Sequence, residues 1–230
     1  MEIETIVHSL EPITLVGGGD VAPALLKRAQ NHAPRTIAAD GGAEAVLALG
    51  QMPERVIGDL DSLGAQARAA LPPERIVQID EQDSTDFEKC LMRISAPLSL
   101  AVGFRGGRFD HDLAALHALL RFAHQRCLLL SEQDCVFLCP PRLALDLPVG
   151  TPLSLFPLQA VTGRSAGLQW SFDRLEYAPG VQIGTSNQVA GPVTLEMSGP
   201  GMLVIVPASV LEACVTQLAQ QPAARWPARA

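Results

Sequence analysis

The sequence predicts an α/β protein in two parts: a Rossmann-like, mostly parallel α/β/α domain over residues 1–142, then an antiparallel β-sandwich over 143–230. Three observations predict it. In the first half, short apolar runs alternate with helix-patterned stretches, which is the rhythm of a parallel sheet covered on both faces by helices. After about Arg142, short strands follow one another, separated by Gly and Pro. The length, 230 residues, allows one large or two small domains at roughly 100–200 residues each.

Taken in order, Ile13–Val16 reads as a strand, followed by Gly17-Gly18-Gly19-Asp20 and a helix from about Ala22. Pro23 suits the first turn of that helix, where its missing N–H costs nothing. Thr36–Ala39 is the next strand, ended by Asp40-Gly41-Gly42, and a helix then runs to Gly50. Val56-Ile57 is a short strand leading into Gly58-Asp59. Thr85 and Glu88 have the spacing of a capping box, so a helix starts there. Phe87, Leu91 and Ile94 would face the core, with Asp86, Lys89 and Arg93 on the other face. Leu98–Val102 is a strand, then comes a glycine-rich loop, then a helix with Leu113, Leu116 and Leu120 inward. In the second half, Leu153–Leu155, Leu168–Phe172, Val181–Ile183, the alternating Val193–Ser198 and Met202–Val206 read as strands, with Gly199-Pro200-Gly201 as a turn. A last helix covers Ser209–Gln220, and the tail from Gln221 is expected to fray.

Composition narrows the function classes. Hydrophobic residues make up 48% and charged residues 18%, enough for a sizeable core and against disorder. A net charge of −7 argues against a non-specific nucleic-acid binder, which shows a basic footprint. An acidic protein that binds a nucleotide usually needs a divalent cation between its carboxylates and the phosphates. Five cysteines, without a CxxC pair, read as reduced core thiols in a cytoplasmic protein. The opening Met-Glu-Ile-Glu lacks the pattern of a signal peptide, and no apolar run reaches the length of a membrane span.

The aspartates carry the chemistry. Asp40 ends one strand, Asp59 and Asp61 follow another, Asp83 and Asp86 flank a helix start, and Asp110 follows Gly106-Gly107-Arg108. In an open parallel sheet, ligands bind beyond the carboxyl ends of the strands, so these acids would gather at one edge. Crowded carboxylates repel, and a bound Mg²⁺ removes the repulsion while phosphate oxygens complete its octahedron. Asp59 and Asp61, two apart in a glycine-started turn, can both point at one ion. Gly41-Gly42 and Gly106-Gly107 would let backbone N–H groups approach an anion, and Arg108 could grip a phosphate oxygen. His111 would orient a phosphate or simply begin its helix. Lys89, one of two lysines in the chain, would reach the ligand or form a surface ion pair.

Gly17-Gly18-Gly19-Asp20-Val21-Ala22 also matches a dinucleotide fingerprint, with Asp40 about twenty residues on. A nicotinamide-linked oxidoreductase is therefore the alternative, although that fold has no use for the paired aspartates. No Gly-Lys-Ser/Thr occurs, which disfavours a P-loop kinase.

At four segments the chain resembles thiamine pyrophosphokinases: Ala39–Ala43, Gly58–Ser62, Asp83–Leu91 and Gly106–His111. Gly167-Leu168-Gln169-Trp170 and Thr185-Ser186-Asn187 match too. The resemblance implies an α/β catalytic domain, a β-sandwich, and a homodimer with thiamine bound between subunits. It implies transfer of diphosphate from ATP to the thiamine hydroxyl, with AMP released. It assigns Asp59, Asp61, Asp83 and Asp86 to the magnesium–ATP region, with Asp40 nearby, and Ser186 and Asn187 to thiamine. Gly18, Gly41, Gly42, Ser62, Thr85, Lys89, Gly107, Asp110 and His111 complete the expected ligand-binding set. Asp61, Asp83 and Asp86 are all candidates to take the hydroxyl proton. Two departures stand out. The last strand, Gly201–Val206, lacks the tryptophan that some eukaryotic members place against thiamine, with Trp170 as a substitute or a core residue. The residue after Ala43 is Glu44, where the family often has asparagine.

Overall fold

The computed structural model describes residues 4–220 and 225–228. The chain forms two compact units that meet in sequence between Ala118 and Leu119.

The first unit is built on five parallel strands: β2 (Ile13–Val16), β3 (Arg35–Ala39), β4 (Arg55–Gly58), β5 (Ile76–Gln78) and β7 (Ser99–Val102), with a small parallel pair of β1 (Val7–His8) and β6 (Ile94–Ser95) beside them. The order across the sheet is β7-β2-β3-β4-β5. Every residue of β2 and β7 is buried, as expected for apolar runs with both faces covered. The connecting helices are α1 (Pro23–His32), α2 (Gly42–Ala48), α3 (Ala65–Ala70) and α4 (Asp86–Arg93). Pro23 sits in the first turn of α1, and the Thr85–Glu88 capping box of α4 is complete in both directions. The sequence reading passed over α3, β5, β1 and β6, which are too short to show a period.

Helix α5 (Phe109–Arg121) corrects one expectation. Its buried positions are Ala115, Ala118 and Leu119, followed by Phe122, while Leu113 is 51% exposed. Leu116 and Leu120 are only half-buried. Both sets have helical spacing, and the small alanines take the inner face because they allow close approach.

The second unit contains β8 (Cys127–Leu130), β9 (Asp134–Leu138), β10 (Arg142–Leu145), β11 (Pro152–Pro157), β12 (Val161–Leu168), β13 (Asp173–Tyr177), β14 (Gly184–Met197), β15 (Met202–Pro207) and α6 (Leu211–Gln220). All its pairings are antiparallel, in the order β13-β12-β14-β11-β15-β9-β8, with β10 also on β14. Strands β8 and β9 belong here because β9 pairs with β15, so the units divide earlier than the change of rhythm near Arg142. Two expected strands are not strands. Leu168–Phe172 is mainly the turn joining β12 to β13, and Val181–Ile183 is a turn closed by a single bridge between Ala178 and Gln182. Gly167 and Gly180, both at positive φ, bend the chain there. Residues 221–224 of the tail lie outside the described residues, and Trp226 donates its indole N–H to the Cys139 carbonyl at 2.9 Å. All five cysteines are buried thiols. Among the described residues no helix is long and apolar enough to cross a membrane.

Candidate active site

Parallel strands deliver their following loops to one edge. The loops after β2, β3, β4 and β7 carry Gly17–Gly19, Asp40–Gly42, Asp59–Ser62 and Gly103–Arg108. Close backbone packing holds three of them together. A Cβ on Gly42 would lie 2.1 Å from the Val16 carbonyl oxygen, and one on Gly17 would lie 2.6 Å from that of Gly103. Gly19 donates its N–H to the Gly103 carbonyl at 3.0 Å. Gly18 faces Gly41 and Gly42 at ordinary contact distance.

The loop after β4 is aimed by a hydrophobic anchor. Leu60 has φ +68° and is buried among Ala38, Ala43, Val56, Leu63, Ala67 and Leu71. Turning Leu60 into the core frees the acids on either side of it. Carboxylate oxygens of Asp40, Asp59 and Asp61 come within 4.8 Å of one another. Ser62 ties two of them: its N–H donates to Asp40 Oδ2 at 3.3 Å and its hydroxyl to Asp61 Oδ1 at 2.9 Å. The Asp61 N–H donates to Asp59 Oδ1 at 3.3 Å, and Gln82 donates to Asp59 Oδ2 at 3.2 Å. Glu44 accepts the Gly64 N–H at 2.9 Å, joining α2 to the end of this loop.

Asp40 is buried, and its Oδ1 finds no hydrogen-bond donor among the described residues. Burial raises its pKa to about 6; the Ser62 N–H works against that, and the charges of Asp86, Asp59 and Asp61 add to it.

Lys89 corrects the expectation of an outward-facing side chain, because it is almost fully buried. Its ammonium lies 2.8 Å from Asp59 Oδ2 and 3.2 Å from Asp86 Oδ1. Burial alone would lower its pKa, but the hydrogen bonds to Asp59 and Asp86 outweigh burial and leave it raised. The same contact holds Asp59 below the usual carboxylate value, while Asp86 is raised, chiefly by burial and against the pull of Lys89.

This arrangement meets the demands of a hard divalent cation. All donors are carboxylate oxygens, one buried oxygen is unsatisfied, and mutual repulsion awaits a positive charge. The carboxylates that the fold brings together are not all of those expected to hold the ion. Asp40 joins Asp59 and Asp61, whereas Asp83 is exposed and lies outside the group, and Asp86 enters through Lys89. The Asp83 and Ser84 N–H groups donate to Glu81, at 2.8 and 3.1 Å. Thr85 spends its hydroxyl on the α4 cap.

The start of α5 is a separate, solvent-facing group. Arg108 is 72% exposed and grips Asp110 through Nε and Nη2, at 3.1 and 2.5 Å. His111 donates its N–H to the Arg108 carbonyl at 3.1 Å and to Asp110 Oδ1. The Gly106 N–H is taken by Asp112 at 3.0 Å, so of the Gly106-Gly107 pair only Gly107 has none of these bonds. In the second unit, Asn187 is buried. Its Oδ1 accepts from the Trp170 N–H at 3.1 Å and from Gln188 at 2.9 Å, and its Nδ2 donates to the Trp170 carbonyl at 2.9 Å. Trp170 itself is 60% exposed and is not a core residue. Ser186, also exposed, has φ +65°.

Sequence reasoning missed Gln82, Glu81 and Asp112, and set Asp40 beside the other aspartates and not within one cluster with Asp59 and Asp61. No periodicity marks a loop residue whose role is to accept an N–H. Lys89 did leave a signal: one of only two lysines, three residues after an aspartate on a helix.

A parallel α/β unit with carboxylates clustered beyond its strand ends has its candidate site where open parallel sheets bind ligands. Residues 26–130 match the family described as thiamin pyrophosphokinase, catalytic domain. Thiamine pyrophosphokinase 3 of Oryza sativa subsp. japonica is 31% identical over 202 residues, 73% of this chain and 74% of that protein. Thiamine pyrophosphokinase 1 of Arabidopsis thaliana is 30% identical over 192 residues, 69% and 72% of the two chains. The fold matches the crystal structure of thiamin pyrophosphokinase from Geobacillus thermodenitrificans with TM-score 0.71 at 24% identity, covering 85% of this chain and 96% of that one. The chain belongs to the thiamine pyrophosphokinase family. These relatives lend no support to the oxidoreductase alternative.

Proposed function

We propose that this protein is a magnesium-dependent thiamine diphosphokinase, transferring diphosphate from ATP to the thiamine hydroxyl and releasing AMP. The observation that carries the site assignment is the Asp40–Asp59–Asp61 cluster with its unsatisfied buried oxygen, inside segments that match the family. In this reading the first unit is the Rossmann-like catalytic domain, the second is the β-sandwich that takes thiamine, and the protein works as a cytoplasmic homodimer with shared sites.

Asp40, Asp59 and Asp61 would hold Mg²⁺, which when bound neutralises phosphate charge. Lys89 fixes Asp59 and Asp86 in place and supplies a permanent positive charge beside the phosphates. The hydroxyl oxygen forms a bond to the β-phosphorus, the bond from that phosphorus to the α-phosphate oxygen breaks, and AMP leaves with the electron pair. We assign the hydroxyl proton to Asp86, whose proton affinity burial raises and which Lys89 holds beside the cluster. Arg108 and His111 stand at the exposed start of α5 as phosphate contacts, which requires Arg108 to exchange Asp110 for the ligand. Gly18, Gly41, Gly42 and Gly107 line the approach of the nucleotide. Asn187 acts on thiamine indirectly, by holding the backbone of exposed Trp170, while Ser186 is free to touch it.

Incubation with ATP, Mg²⁺ and thiamine, followed by chromatography, tests the reaction. AMP and thiamine diphosphate in equal amounts are expected. ADP with thiamine monophosphate would mean an ordinary kinase and overturn the reading.

A further inference from the structure

Among the described residues, four other than glycine have positive φ: Asp40 at 44°, Leu60 at 68°, Ser186 at 65° and Arg174 at 54°. The first two shape the carboxylate cluster, and the third lies in the segment read as thiamine-binding. Arg174 has no part in the reaction proposed above. A long side chain in this region is a backbone outlier, and such outliers concentrate at functional positions.

The pairing of β12 with β13 shows how Arg174 is held. Gly163 pairs with Leu175, but Arg164 pairs with Asp173, so Arg174 is the extra, unpaired residue of a β-bulge. Glycine is the residue such a left-handed bulge position favours. This chain places an arginine there, and a bulge re-aims its side chain.

Arg174 opens on a groove of about 200 Å³ that Arg164, Thr162, Glu196 and Ser198 also line. Glu196 already serves two guanidinium groups, with Arg164 Nε at 3.2 Å and Arg142 Nε at 3.9 Å. No carboxylate pairs with Arg174 among the described residues; its neighbour Asp173 is engaged in the strand pairing through its backbone. Ser198 Oγ accepts the Thr162 N–H at 3.0 Å, which leaves its O–H to donate. Two arginines and one glutamate are the charged residues lining the groove, an excess of positive charge on a chain of net charge −7. The volume equals that of roughly six or seven waters at about 30 Å³ each, room for a diphosphate.

The geometry points to a binding site in the second unit for a phosphate-bearing anion of diphosphate size, gripped by Arg174 and Arg164 and by the Ser198 hydroxyl. The diphosphate arises either as the free inorganic anion or as the terminal group of thiamine diphosphate; only the second source rests on the proposed function.

Calorimetric titration in metal-free buffer with EDTA tests it, because without Mg²⁺ the carboxylate cluster repels phosphates. Inorganic diphosphate and thiamine diphosphate are titrated separately into the wild type, Arg174→Gly and Arg174→Lys. Glycine suits the bulge, so Arg174→Gly is expected to fold and melt no lower than the wild type. Binding of at least one titrant should weaken about tenfold or more in Arg174→Gly and largely persist in Arg174→Lys. Binding only by thiamine diphosphate identifies the product as occupant; equal binding by both identifies the bare anion. No binding to the wild type at millimolar concentration, or unchanged binding in Arg174→Gly, overturns the site. Diphosphate transfer is assayed in the same preparations after EDTA is removed and Mg²⁺ restored: its absence in the wild type would sink the proposed reaction without touching the inorganic anion's binding.

Discussion

The two oxygens of the Asp40 carboxylate have unlike surroundings: Oδ2 accepts from Ser62, and Oδ1 is buried with no donor among the described residues. The folded-state pKa of about 6 lies above the ordinary aspartate value of about 3.9. The folded protein therefore takes up this proton before the unfolded chain does. In metal-free buffer, the cost of the buried charge is complete above pH 6 and fades as pH falls towards 4. Asp40→Asn removes the charge, and asparagine tolerates a φ of 44°. The variant should be more stable than the wild type by roughly 3 kcal/mol at pH 7.5, two pKa units at about 1.4 kcal/mol each, with the gap closing near pH 4. Chemical unfolding with EDTA present measures it. A gap that stays constant with pH would mean that Asp40 is not the group responsible. Lys89 should behave in the opposite sense. Removing its ammonium leaves Asp59 and Asp86 facing each other, so Lys89→Met should destabilise the protein by about 3 kcal/mol despite its apolar setting. Wild-type stability in that variant would show that the ion pair contributes nothing net.

At the scale of elements, legibility tracks length and context. Strands β2, β3, β4 and β7 and the capped start of α4 were readable because apolar runs and cap chemistry are local signals. Turns written with apolar letters were not. Leu168–Phe172 and Val181–Ile183 look like strands until positive-φ glycines bend the backbone, and nothing local distinguishes the two. The acids of the site were legible as a set at strand ends. Their division into an Asp40–Asp59–Asp61 cluster and a Lys89-bridged Asp86 was not, because it depends on how Leu60 packs. Helix α5 shows the same limit: two apolar faces of equal period, and only packing selects one. Ala118→Leu on the buried face should cost about 1–3 kcal/mol by overpacking, while Leu113→Ser on the exposed one should change stability by less than about 0.5 kcal/mol. Thermal melts of the two variants compare them. A larger loss in Leu113→Ser would restore the face that the leucine spacing suggested.

The whole molecule divides its proposed machinery between two units, the carboxylates before residue 118 and the Asn187–Trp170 clasp after it. A homodimer with shared sites makes a countable prediction, because each site would draw its carboxylates from one chain and its clasp from the other. Asp61→Asn removes a cluster carboxylate from an exposed loop and should nearly abolish turnover while the fold survives. Asn187→Ala breaks three hydrogen bonds around Trp170 and Gln188 and should also cut activity severely. The two variants are unfolded together, refolded and compared with each alone. Random pairing makes about half the dimers mixed, and in each mixed dimer one site carries both defects and the other carries neither. Activity should return to roughly a quarter of the wild type, with each pure variant near zero. If every site lies within one chain, each keeps a defect and no activity returns. Mass spectrometry of the refolded sample shows whether mixed dimers formed; mixed dimers without activity would rule the shared site out.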